Sequence, residues 1–225
     1  MKKFLSLIFC CCLLTACGDN DKNSVSESIA EIPSVAVGEL GEIITPDEND
    51  KDYDLGEYRY SHDGTKLYFN DDEYPKELIF TLEKYFESLA ENDFEKFKSC
   101  LYPAYIDEME DFLEKNYSYG LDKSFQNQRE NLTATMGGNF KITRLRVEKT
   151  ADNTDETIEE FFTSFDETFE KDFYTEVKNN TDNFYHMIFY VMAENNENKE
   201  NDEILLLSGY EIVFVEKDGV YYTFG

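Results

Sequence analysis

The chain has 225 residues, of which 49 are Asp or Glu and 21 are Lys or Arg, for a net charge of −28. So acidic a surface repels the phosphates of nucleic acid and the headgroups of anionic lipid, which excludes both as broad partners. Cationic partners and divalent ions stay open, and self-repulsion keeps such a chain in solution. Nineteen Phe and 16 Tyr with no Trp predict one domain whose core is built on large rings.

Residues 1–16 read as a signal peptide. Lys2 and Lys3 form its positive start, and an apolar run follows over residues 4–14. That run is too short to span a bilayer, and Thr15 and Ala16 are small, as a cleavage site requires. Leu14-Thr15-Ala16-Cys17, followed at once by Gly18-Asp19-Asn20, resembles the lipobox of bacterial lipoproteins. The resemblance implies that Cys17 is acylated and becomes the lipid-bearing N-terminus of an extracytoplasmic protein. The membrane is then a partner through that lipid, and two or more acyl chains hold a protein stably. Loss of residues 1–16 removes two lysines and no acid, which takes the net charge to −30.

Cys10, Cys11 and Cys12 leave with the signal peptide and Cys17 carries the lipid, so Cys100 is the one thiol left for the folded part. No internal disulfide can form. Cys100 follows Phe97 on the apolar face of a predicted helix, where a buried, inert thiol is expected.

Residues 17–56 read as an acidic tether from Cys17. Eleven acids stand against Lys22 and Lys51, no aromatic precedes Tyr53, and no helix or strand period persists. Such a composition cannot offset the entropy of ordering. As a coil it would average about 35 Å end to end.

The domain is expected over residues 57–225. Residues 57–69 predict a hairpin turning at Ser61-His62-Asp63-Gly64. Pro75 opens an amphipathic helix through Leu78, Ile79, Leu82, Tyr85, Phe86 and Leu89. Asn92-Asp93 ends it and caps a short second helix. Pro103 starts a third, with Ile106, Met109, Phe112 and Leu113 inward. Gly120 closes that region, and a weaker fourth helix carries Leu121, Phe125, Leu132 and Met136. Residues 140–149 read as a strand whose apolar phase slips from Phe140/Ile142 to Leu145/Val147, which predicts a bulge near Thr143-Arg144. Residues 154–173 return to helical spacing. Residues 184–192 are almost continuously apolar, as in a strand covered on both faces. Residues 204–215 form a longer strand with a bend at Gly209, and Asp218-Gly219 turns the chain into a last strand over 220–224. The order predicts an α+β domain, with amphipathic helices packed on a curved antiparallel sheet.

Glu91-Asn92-Asp93-Phe94 after an amphipathic helix, Leu101-Tyr102-Pro103 ending the next, and a closing Asp218-Gly219-Val220-Tyr221-Tyr222 resemble the NTF2-like (cystatin-like roll) lipoproteins of Gram-positive bacteria. The resemblance covers about residues 75–225 and implies a conical fold with an open pocket. It carries over no catalytic residue, and Val220-Tyr221 stands where that group often has Lys-Trp.

Chemistry-bearing residues are few. Asp50, Asp52 and Asp54 are spaced like calcium-loop ligands, but Leu55 replaces the required glycine and Ser61 the closing glutamate. Two histidines and one thiol argue against a zinc site, so neither metal nor cofactor is expected. His186 in a central strand would serve as acid or base only if it faced the pocket. Tyr190, Tyr210 and Tyr221 could line that pocket. Arg129, Arg144 and Arg146 are three of four arginines in the chain. They would either pair with local acids or hold an anionic ligand by bidentate contacts. The expected function is therefore a lipid-anchored domain that binds a small molecule or a protein partner. The alternatives are an NTF2-like pocket enzyme using His186 or a buried carboxylate, and a structural subunit of the cell surface.

Overall fold

A computed structural model describes residues 33–150, 155–197 and 203–225. The expected signal peptide, Cys17 and the first part of the tether lie outside the described residues. Six strands form one curled sheet in the order β1-β2-β3-β4-β5-β6. They are β1 (Arg59–Tyr60), β2 (Lys66–Tyr68), β3 (Phe140–Lys149), β4 (Asn183–Asn195), β5 (Ile204–Lys217) and β6 (Val220–Tyr222). The helices are α1 (Lys76–Glu91), α2 (Phe94–Lys98), α3 (Pro103–Tyr117), α4 (Leu121–Met136), α5 (Asp155–Phe169) and α6 (Phe173–Asn179). The α+β class, with helices on a curled sheet, is as expected from the sequence.

The pairing differs from expectation in one place. β2 and β3 run parallel, whereas the other neighbours are antiparallel. A parallel pair needs a long crossover, and α1 to α4 supply it between these two strands. The bulge predicted near Thr143-Arg144 is present, as the β3–β4 register shifts between Ile142 and Arg144. Asp218 and Gly219, both at positive φ, make the two-residue turn whose twist suits a hairpin.

Strand alternation sorts the sheet into two faces. Leu67, Leu145, Val191 and Leu207 stand in register across β2 to β5, and all four are buried. This inner face takes α1 and α4, with Phe86 of α1 packed 5.2 Å from Phe189. A space left between α1, α4 and β5 is about 20 Å³, ringed by Tyr85, Phe86, Leu89, Leu132 and Leu207 with Gln128 and Asn131. That is room for about one water. This part of the inner face is therefore filled by side chains, in place of the open pocket that the resemblance implies.

On the opposite face, Phe184 of β4 meets Phe162 and Tyr174 at 5.9 and 6.2 Å, so this end of β4 is covered on both sides. Phe224 joins the same cluster, 4.8 Å from Phe162. Each such ring, fully buried, contributes about 1.5–3 kcal/mol. The single helical period over 154–173 is split into two helices. Glu170 at φ 54° breaks the first, and the Asp172 carboxylate accepts the Thr175 N–H at 3.0 Å to cap the second.

The tether boundary at residue 56 requires correction. Residues 33–56 lie along the hairpin: Gly41 N–H donates to Tyr60 at 2.9 Å, and Ile44 pairs with Tyr58. The His62 ring bonds the Val35 carbonyl at 2.7 Å. The acids here read as solvated, but Asp52 is buried and meets cations on the sheet.

Candidate functional site

Asp52 anchors that strap on the outer face. Its carboxylate meets Lys66 Nζ at 2.5 Å and Arg144 Nη2 at 2.9 Å. Arg144 is buried and also reaches Glu203 at 2.7 Å, and Thr143 donates to Glu203 as well. Burial pushes the Asp52 carboxyl up, but Lys66 and Arg144 outweigh it and hold it below the usual 3.8. Arg144 is thus consumed by two acids, one of them brought from far back in the chain.

The other candidates do not converge on it. Arg146 pairs with Glu148 and lies 5.5 Å over the Tyr190 ring, its cross-strand partner. Arg129 is on α4, in the layer against the inner face, and donates to Asn139 at 3.0 Å. No common anion site joins the three. His186 is buried on β4 with Nε2 3.2 Å from Glu211 Oε2, and its Nδ1 has no partner. Tyr210 packs its ring 6.2 Å from Phe189. Tyr221 packs 5.7 Å from Tyr185, and its hydroxyl is pushed up by burial and by Glu216. Cys100 is buried, and burial pushes its thiol up to about 11, so it stays protonated and unreactive. Among the described residues no group of three His, Cys, Asp or Glu could hold a metal ion.

The arrangement suited to holding a ligand is a cleft between α3 and α4 that no sequence motif marks. Its corner has a definite local cause. Ser118 ends α3 at φ 61°, which turns the chain so that Tyr117 and Tyr119 both border the cleft. Glu110 then reaches from α3 to accept the Leu121 N–H at 2.7 Å, satisfying a free donor in the first turn of α4. Gly120 leaves room for this contact, because a Cβ there would lie 2.4 Å from Glu110 Oε1. Gly120→Ala should therefore displace the carboxylate and lower stability by about 1 kcal/mol. A urea titration should show a lower midpoint at unchanged slope.

The cleft has a volume of about 140 Å³, room for several waters. One wall carries Met109, Phe112, Tyr117 and Tyr119; the other carries Ser124, Asn127, Gln128 and Asn131 of α4. The rings form a chain, Phe112 to Tyr117 at 5.9 Å and Tyr117 to Tyr119 at 5.8 Å. Tyr117 is 44% exposed, so its ring is open to a ligand. A ring wall facing uncharged polar side chains can orient a small neutral molecule. No Asp, Glu, His, Lys or Cys side chain lines it, so it offers no side-chain acid or base that titrates near neutral pH.

No known protein family, curated protein or solved structure matches this chain.

Proposed function

We propose that this chain is a lipid-anchored protein of the bacterial cell envelope, held outside the cytoplasm by lipid on Cys17, whose domain binds a small ligand without catalysis. The observation that carries the binding half is the α3–α4 cleft, where exposed rings face uncharged polar groups. The lipobox-like Leu14-Thr15-Ala16-Cys17 supports the anchoring half. The NTF2-like relationship is proposed on the resemblance of residues 75–225 alone. Among the described residues no helix is long and apolar enough to cross a membrane.

Labelling of producing cells with an alkynyl fatty acid tests the anchor. The wild type should carry the label and sediment with membranes, and Cys17→Ala should do neither. Label retained by Cys17→Ala would refute acylation at this position. Native mass spectrometry of the purified protein tests the cleft: a bound small molecule should be present, and Tyr117→Ala should lose it.

A further inference from the structure

We propose that the α3–α4 cleft takes a neutral sugar ring, the terminal residue of a glycan. The inference rests on the small-ligand reading of that cleft. Its two walls differ in chemical kind, and the pairing is what narrows the ligand.

The α4 wall is a stripe. Ser124, Asn127, Gln128 and Asn131 fall at i, i+3, i+4 and i+7, which places them on one helix face. None is charged, in a chain where 31% of residues are. Among the described residues no hydrogen bond holds the side chains of Asn127, Gln128 or Asn131. Each carboxamide carries both a donor and an acceptor; Asn127 borders this cleft, and Gln128 and Asn131 stand between it and the small space beside Leu89 and Leu207. The α3 wall offers the opposite, ring faces and edges, with Tyr117 the most open.

A pyranose ring has both faces. Its C–H bonds lie against an aromatic ring, and its hydroxyls both donate and accept, as carboxamides do. Other classes fit less well. An anion would meet a net charge of −28 with no lining cation to offset it. A cation would find no lining acid side chain, only the terminal carboxylate of Gly225 set among rings. An alkyl chain would match the rings but leave three carboxamides without partners as it excluded water. The volume suits one ring-sized group, since drug-sized ligands need about 300 Å³ or more. The rest of a glycan would extend into solvent past Tyr117.

The test uses the full-length protein with ¹³C-labelled Phe and Tyr rings, titrated by NMR with cellobiose, with chitobiose and with n-octanol. A sugar at millimolar concentration should shift the Phe112, Tyr117 and Tyr119 signals. Tyr117→Ala should weaken that binding about tenfold. Gln128→Leu keeps the bulk but removes the carboxamide, and should weaken it as well. Octanol shifts without sugar shifts would overturn the sugar and leave the cleft as a site. No shift from any probe would overturn both readings. Sugar binding indifferent to both substitutions would place the sugar elsewhere and overturn the inference.

Discussion

Arg144→Met should cost about 3 kcal/mol of stability, near the lower end of what breaking a buried ion pair costs. The reason is what remains. Arg144 bridges Asp52 and Glu203, at 2.9 and 2.7 Å, and its side chain is only 10% exposed. Methionine fills much the same space but leaves two carboxylates facing each other. Lys66 still holds Asp52, which keeps the loss from being larger. The effect should also be local: Asp52 is the buried acid of the 33–56 strap, so amide exchange should rise across that stretch first. Glu203→Gln placed on Arg144→Met should restore part of the loss, because Glu203 is the acid left with no cation, whereas Asp52 keeps Lys66. A loss below about 1 kcal/mol, the scale of exposed pairs, would show that the cluster is no more than a surface contact. The pH dependence carries a sign of its own. Asp52 is held below its ordinary 3.8, so its contribution is present above that value and should fade as pH falls below it. Chemical denaturation at neutral and acidic pH would measure both.

How much of this is legible in the sequence depends on how local the cause is. The slip in apolar phase around Thr143 is enough to place the bulge, because strand faces alternate residue by residue. Pro75, Asp93 and Pro103 stand where three helices begin, since capping is decided within one turn. The crossing of β2 to β3 is a long-range matter: a short strand pairs with either partner direction, and only the helical block between them decides. Asp52 reads as a solvated acid because its partners Lys66 and Arg144 sit on strands that composition cannot bring together. The cleft is hidden for another reason. Ser124, Asn127, Gln128 and Asn131 look like any polar helix face, and the one signal that marks them is the absence of charge. Tyr117 and Tyr119 flank Ser118, whose left-handed φ of 61° brings both to the same rim. Serine does not advertise that conformation as glycine would.

Glu83→Gln should raise stability above neutral pH by about 3 kcal/mol and remove most of the pH dependence between about 4.5 and 7. Glu83 lies in the middle of α1, only 5% exposed, and its Oε1 has no partner. Burial pushes its carboxyl up to about 7; Ser61 and Thr65 of the hairpin turn pull it down, and Glu87 and Asp63 push it up. A carboxyl raised in the folded state above its ordinary 4.5 stabilises the fold fully below that ordinary value. The contribution is lost as pH rises through the folded value, at about 1.4 kcal/mol for each tenfold difference in proton affinity between the folded and unfolded chain. At pH 8 the wild type therefore keeps a buried charge beside two other acids, and glutamine, uncharged and of the same shape, does not. Glu87 is also raised by burial while Lys96 opposes it at 2.8 Å, so the wild-type curve alone mixes two groups. The difference between wild type and Glu83→Gln isolates one. Urea midpoints for both proteins from pH 4 to pH 8 should converge at the acid end and separate toward the basic end. Parallel curves across that range would mean that Glu83 stays ionised in the fold, with water reaching its Oε1.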